Sequence, residues 1–467
     1  MDKGHTIHQA IIQKKVDNRE KEKSTGLAWW QLSLIGIGSI IGAGFFLGTG
    51  LSIQTAGPAI LIDYILAGVT AFIVFSALAE MTVRDPVQGS FRTYAKKAFG
   101  NSMGFMSGWM YWLSGVFIMS SEAVALATFT KYWFPHVPLW IFTIAYVAAA
   151  FGINILGVKN FGKIESTFAM IKLSTLVIFV CFGIFLLMHF ISPQNVTLKG
   201  FSEFHPFFTM GINGMWSALI FAFFSFGGIE VIGIASSELK DRAEVPKAGI
   251  GMLMALVSVY ILSIFFILYM VSWTQISEAK SPFVLALNLF NIPYIGSIFN
   301  LIIISAAFST MVGALFSVTN IMVSLADDRD APKSFGEKNQ KGTAYKALFV
   351  TGFALALSLV LSFILPGQIY EYITTAAGVL LILNWVTILT SQIKLRKAAK
   401  EKIRTYKMPG SPYTSYLGIA FILIAVSGGL FHPTQRMGVL ISLGLIGVIF
   451  LSYHLIVKKR KPLTKNY

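Results

Sequence analysis

Apolar residues run in about twelve stretches, each close to the 20 residues a bilayer-crossing helix needs, with short polar or charged segments between them. The stretches cover residues 30–52, 57–81, 104–131, 138–157, 163–190, 213–236, 248–273, 296–325, 347–365, 368–393, 415–430 and 437–457. This pattern predicts an all-α, polytopic membrane protein. Two of the stretches are interrupted. The first carries Gly42-Ala43-Gly44, and each glycine costs about 1 kcal/mol relative to alanine inside a helix. The sixth carries Phe224-Ser225-Phe226-Gly227-Gly228. A break at membrane depth frees backbone groups that lipid cannot satisfy, so it is tolerated only inside protein or beside a watery cavity. Breaks in corresponding halves of a multi-span chain point to the substrate site of a secondary transporter.

Counting five spans from each break gives two five-helix halves, and an odd count inverts the second relative to the first. The expectation is a ten-helix, 5+5 inverted-repeat core over 30–393, with helices 1 and 6 broken. A basic inner loop and two extra helices follow at 394–457. Tails occupy 1–29 and 458–467. Asp85–Gly100 is expected to be an inner loop with a short amphipathic helix, and Glu278–Asn291 a partly helical outer segment.

Composition agrees with this class. The 467 residues are 55% hydrophobic and 12% charged, with mean hydropathy +0.70, against about 25% charged residues in soluble domains. A net charge of +16 raises the question of nucleic acid. With a cytoplasmic N-terminus, however, all but Lys131, Lys172, Lys199, Lys280 and Arg436 of the 37 basic residues fall on the inner side. That is the positive-inside rule: the charge sets topology and is no nucleic-acid surface. Both termini are therefore expected in the cytoplasm of a cell-membrane protein. The first 25 or so residues lack the short apolar run of a signal peptide. Cys181 lies in an apolar run as a small packing residue, and one cysteine permits no intramolecular disulfide. The histidines show no metal-ligand spacing, no cofactor is expected, and Asn195-Val196-Thr197 is a sequon in an outer loop. The chain contains no GxxxxGK[ST] loop, which sets aside an ATP-driven pump. No nucleophile–base constellation supports an enzyme.

The breaks supply the candidate chemistry. The half-helix beginning near Ala43 and Gly44 offers free amides and a positive dipole end to a carboxylate, and Gly42 and Gly44 let a ligand approach the backbone. Carbonyls near Ile40 and Ile41, and from Phe224 through Gly227 (with Ser225 and Phe226 between), would accept from an ammonium. Amides beside carbonyls suit a zwitterion, an α-amino acid. Gly38-x-x-x-Gly42 equally fits a helix-packing motif, and Phe224 and Phe226 either cover a bound side chain or pack. Ionisable residues at membrane depth are functional candidates. Lys172 lies about 13 Å beyond Lys163 along its helix. It is expected to gain and lose a proton in a transport cycle, the alternative being a snorkelling amine. Glu230, just past the second break, could couple protonation to its geometry. Glu122 either faces the cavity or bonds a neighbouring helix. Asp63 and Glu80, near span ends, read as interfacial.

In sum these residues resemble the amino acid permeases of the amino acid–polyamine–organocation superfamily, close to its bacterial amino acid transporter family. The resemblance rests on Ile37–Gly50, Ala56-Gly57-Pro58, Ala79-Glu80-Met81, Pro86-x-x-Gly89-Ser90-Phe91-x-x-Tyr94-Ala95 and Gly108-Trp109-x-Tyr111-Trp112. It continues through Val158-Lys159-x-Phe161-Gly162, Ile171-Lys172, Phe224–Glu230, Ser281-Pro282-Phe283, Leu325-Ala326 and Ala331-Pro332. It implies a twelve-helix, inverted-repeat transporter working by alternating access. By position, the amides of Ala43 and Gly44 would hold a substrate carboxylate, and the carbonyls of Ile40, Phe224 and Gly227 its amine. Lys172 matches a lysine that stands, in proton-coupled relatives, where sodium binds in sodium-coupled cousins. Glu230 matches an acidic residue linked to gating. Span eight departs from the family pattern at Met311-Val312 and at Thr319-Asn320-Ile321-Met322, which leaves a role for Ser309 beside Lys172 open.

The resulting expectation is uptake of a neutral L-amino acid with proton entry. The partners are an amino acid, protons and the lipid bilayer. An exchanger, a cationic amino acid or polyamine carrier, and a non-transporting nutrient receptor are the alternatives.

Overall fold

The computed structural model describes residues 27–87, 89–156, 161–190, 200–236, 239–277, 280–339, 342–364, 369–398 and 406–457. The N-terminal tail through residue 26, the sequon at 195–197, Val158-Lys159 and the tail from 458 lie outside them.

Helix meets each of the expected spans. The first is split into α1 (Trp29–Ile40), α2 (Ala43–Phe46) and α3 (Gly48–Ala56); α4 (Ile60–Arg84) follows. The amphipathic helix expected in the second loop is α5 (Ser90–Phe99), then come α6 (Asn101–Thr130), α7 (Leu139–Leu156) and α8 (Phe161–Leu187). The sixth span is split into α9 (Gly211–Phe224) and α10 (Ile229–Ala235). After α11 (Val245–Met270) the segment that follows forms α12 (Pro282–Asn288), and then come α13 (Ile295–Asp327), α14 (Tyr345–Ile364) and α15 (Ile369–Ala398). Two further helices, α16 (Tyr413–Gly428) and α17 (Pro433–Ser452), end the fold. Among the described residues the only extended pairing is an isolated bridge between Leu27 and Leu239.

Among the described residues eight helical stretches are long and apolar enough to cross a membrane, and α7, α14 and α16 contribute shorter apolar helices. Large apolar side chains such as Ile144, Ile178, Phe185, Phe349, Phe353 and Val448 face outward. Exposed apolar surface on this scale marks a face built for a partner. Cys181 is exposed on α8 and does not pack internally. The apolar stretch of α15 is 83% buried and that of α17 only 28%, which places α17 at the rim.

The interior forms where α6 packs along α13 and α15, and where α1 packs on α8 and α11. Both breaks lie in this interior. Aromatic rings lock the half-helices after the first break: Phe45 stacks on Tyr260 at 3.6 Å between centroids, and Phe46 meets Phe283 edge-on at 5.4 Å.

Polar ties close one end of the bundle. Arg92 of α5 is fully buried and donates to Asp330 Oδ2 at 2.6 Å, Asp328 Oδ2 at 2.7 Å and Ser324 Oγ at 3.0 Å. Lys96 bonds the other Asp328 oxygen at 2.5 Å. Glu80, expected at the interface, is instead buried: its Oε2 accepts from Met408 N at 2.8 Å, Gln392 Nε2 at 3.0 Å and Arg396 at 3.3 Å. It stitches α4 to α15 and the segment before α16.

Candidate functional site

The two breaks meet. Gly42 is extended (φ −145°, ψ −159°) between α1 and α2. A Cβ there would stand 2.5 Å from Glu122 Oε1 and 2.9 Å from Thr310, so close approach demands glycine. Gly228 ends the second break with φ +109°, and a Cβ on it would come within 2.8 Å of the Ser39 carbonyl oxygen. Gly228→Ala therefore combines left-handed strain with a backbone collision. We expect it to cost roughly 2 kcal/mol, seen as a lower melting temperature in detergent together with slowed transport. Wild-type melting would refute the close approach.

A carboxylate caps the chain after each break. Glu122 of α6 accepts from Ala43 N through both oxygens at 3.1 Å. Glu230 folds back to accept from Gly228 N at 3.2 Å and takes Trp385 Nε1 at 3.3 Å. Tyr111 of α6 and Ser317 of α13 line the same cavity as Glu230. The amide expected to receive a substrate carboxylate at Ala43 is thus already held by Glu122. The neighbouring Gly44 lines the cavity.

Lys172 does not snorkel. It is 0% exposed, and its Nζ donates to Gly38 O at 2.6 Å and to Thr310 Oγ1 at 2.9 Å. Glu165 Oε1 lies 3.9 Å away. Thr310 also donates toward the Ile41 carbonyl, 3.0 Å off. One ammonium and one hydroxyl thereby tie α8 and α13 to the last carbonyls of α1, which the break would otherwise leave bare. Ser309 instead bonds its own helix at Ala306 O.

A cavity of about 50 Å3, room for a few waters, lies between the breaks. Of the candidates named above, Ile40, Gly44, Glu122, Phe224, Gly227 and Glu230 line it. So do Ser39, Tyr111, Thr310, Gly313 and Ser317, for which the sequence suggested no role. The Phe224 ring lies over Gly44, 2.9 Å from where a Cβ would stand. The other candidates stand behind the wall. Gly42 and Ala43 face Glu122, and the Ile41 carbonyl faces Thr310. Ser225, expected to bind substrate, is buried and ties the breaks together: its hydroxyl reaches Gly44 O at 3.1 Å and Tyr64 at 2.8 Å. Phe226 packs in the core against Tyr260, 5.3 Å between centroids. In a turn of four residues only some side chains can face one side.

Glu165 was overlooked because it lies four residues into α8, where acidic residues are ordinary. Its spacing of seven from Lys172 was the available signal, since that places both on one helical face. Asp63, read as interfacial, is 0% exposed, and neither of its oxygens has a hydrogen-bond partner among the described residues.

The cavity is lined by the hydroxyl-bearing Ser39, Tyr111, Thr310 and Ser317 and by Glu122 and Glu230, whose carboxylates cap the breaks. Sequence comparison gives the family. Residues 31–466 match the family model for amino acid permeases. The chain is 40% identical over 445 residues to the uncharacterized transporter YcgH of Bacillus subtilis, covering 94% of this chain and 97% of that one. It is 30% identical over 439 residues to the probable threonine/serine transporter YbxG of the same organism, covering 93% and 95%. It is also 30% identical over 424 residues to the aromatic amino acid transport protein AroP of Escherichia coli, covering 91% and 92%.

Proposed function

Because the chain belongs to the amino acid permease family, a family of transporters and not of enzymes, we propose that it takes up a neutral L-amino acid together with a proton by alternating access at the cell membrane. The observation that carries this reading is the buried Lys172 amine, bound to the carbonyl end of a broken helix. When charged, Lys172 ties α1 to α8 and α13. When neutral it holds Gly38 more weakly, since charge-assisted hydrogen bonds are roughly twice as strong as neutral ones. A proton on this one nitrogen therefore biases the angle of α1, the helix whose break forms the site.

In this reading the substrate carboxylate takes the amides of Gly44 and Ala43, displacing Glu122 from Ala43. The ammonium takes the carbonyls of Ile40, Phe224 and Gly227, and the side chain lies under Phe224. Glu230 keeps its donors at Gly228 and Trp385, and Glu122, once displaced from Ala43, still feels the Lys172 charge that acts on it, so neither carboxylate is left free for a second substrate cation. Relatives named for threonine/serine and for aromatic amino acids agree with a neutral substrate. The basic loops support a cytoplasmic side for both termini.

The test is uptake into proteoliposomes of purified protein, with labelled threonine, serine, phenylalanine and arginine supplied separately. Each is tested under an inward proton gradient, a sodium gradient or neither. Accumulation of a neutral amino acid only under the proton gradient is expected. Uptake driven by sodium, dependent on preloaded substrate, or confined to arginine would replace the reading with a sodium symporter, an exchanger or a cationic carrier.

A further inference from the structure

Glu165 is a buried carboxylate that the transport cycle just described leaves without a task. It precedes Lys172 by seven residues, two turns of α8 on the same face. Side chains on a helix lean toward its N-terminus, so the lysine chain runs back toward Glu165 and the gap between Nζ and Oε1 closes to 3.9 Å. Glu165 is 2% exposed, and its Oε1 has no hydrogen-bond partner among the described residues. An ammonium has three donors. Two of those on Lys172 are used on Gly38 and Thr310, and among the described residues Glu165 is the one carboxylate within 4 Å of the amine.

Few other charges reach this pair. Glu122 of α6 is the other charged group that acts on Lys172. Helix α1 brings no charged residue, and α13 brings only Asp327 at its far end. The Lys247 amine of α11 lies over the ring of Trp29, 4.2 Å from its centre. Gly38 serves both partners. Its carbonyl accepts from Lys172, and its missing Cβ leaves room for Glu165 Oε1, which a methyl there would strike.

We propose that Glu165 is the group through which Lys172 discharges its proton toward the N-terminal end of α8. The inference rests on the proton-coupled reading above. The step is a single proton transfer: an Nζ–H bond of Lys172 breaks, an O–H bond forms at Glu165 Oε1, and ammonium plus carboxylate become amine plus carboxylic acid. It needs the gap to close by about 1 Å, to ordinary hydrogen-bond length, which a rotamer adjustment of either chain supplies. The acid then loses its proton to water on the side of the loop preceding α8. Lys172 is left neutral, its grip on α1 relaxed.

The experiment uses the full-length protein in proteoliposomes and a radiolabelled equimolar mixture of the twenty protein L-amino acids as probe. Two modes are read in the same vesicles: accumulation driven by an inward proton gradient, and exchange against preloaded unlabelled mixture without a gradient. For Glu165→Gln we expect gradient-driven accumulation to fall at least tenfold while exchange stays within about twofold of wild type. Glu165→Asp, which keeps an acid, should retain part of the gradient response. Equal loss of both modes in Glu165→Gln would make Glu165 a structural residue and overturn the proposal, as would unchanged gradient-driven uptake. If the wild-type protein itself ignores the proton gradient, the proton-coupled reading fails and this step fails with it. A coupled wild type with an equally coupled Glu165→Gln variant sinks the Glu165 step alone.

Discussion

Lys172→Met is expected to abolish accumulation driven by a proton gradient, lowering it by roughly a hundredfold or more. Methionine keeps the length and fills the space of the fully buried lysine chain, so the loss is chemical, not a cavity. It deletes donors to Gly38 O at 2.6 Å and Thr310 Oγ1 at 2.9 Å. Hydrogen bonds from a charged group are worth about 1.5–3 kcal/mol each, and 1.4 kcal/mol is a factor of ten, so two of them exceed a hundredfold. The deletion also strands Glu165, whose Oε1 has the Lys172 amine 3.9 Å away as its one ion-pair partner among the described residues. Exchange of preloaded amino acid needs no proton to change hands, so it should survive better than net uptake in any variant that still folds. The check is initial uptake into proteoliposomes with and without an inward proton gradient. A mutant that responds to the gradient as wild type does would remove Lys172 from the coupling machinery.

What the sequence made legible divides along a physical line. The breaks were visible because glycine pairs inside apolar runs have a backbone meaning that needs no tertiary information, and they occur at Ile41-Gly42 and at Ser225–Gly228. Lys172 was visible because a cation in hydrocarbon is costly wherever it points. Partners were not visible. Thr310 sits in an apolar helix, where a threonine usually bonds its own backbone, and only the fold shows it also reaching Lys172 and Ile41. Glu80 and Asp63 looked interfacial because distance from a span end was the only available measure. Burial depends on what packs over that end, here the segment at Met408 in the case of Glu80. Ser225 and Phe226 were assigned to the cavity because they belong to the break, yet the turn directs them to Gly44 and Tyr260. A break's position can be read from composition; the face each of its residues presents cannot.

Arg92→Met should be the most destabilising substitution outside the broken helices, at about 3–5 kcal/mol, the usual penalty for removing one partner of a buried pair. Arg92 and Asp330 are both fully buried at the side chain, 2.6 Å apart, so the substitution leaves the Asp330 carboxylate without its guanidinium. Asp328 contributes less, since its side chain is 29% exposed and Lys96 still reaches it at 2.5 Å. The pH dependence gives the effect a direction. Burial pushes the Asp328 carboxyl up, but the Lys96 hydrogen bond and the Arg92 charge outweigh it and hold the group below the usual carboxylate value. A carboxyl held low in the folded state adds stability that is present above its ordinary value near 3.9. That stability is lost as pH falls through the folded value. Wild-type protein should therefore lose this contribution only in strongly acid solution. In Arg92→Met the depression shrinks and less stability remains to be lost there. Melting in detergent between neutral and acid pH measures both effects. Adding Asp330→Asn to Arg92→Met should restore a large part of the loss at neutral pH, because an amide tolerates burial without a cation far better than a carboxylate does. Additive effects of the two substitutions would mean that the pair contributes nothing as a pair, and that α5 is held on α13 by packing alone.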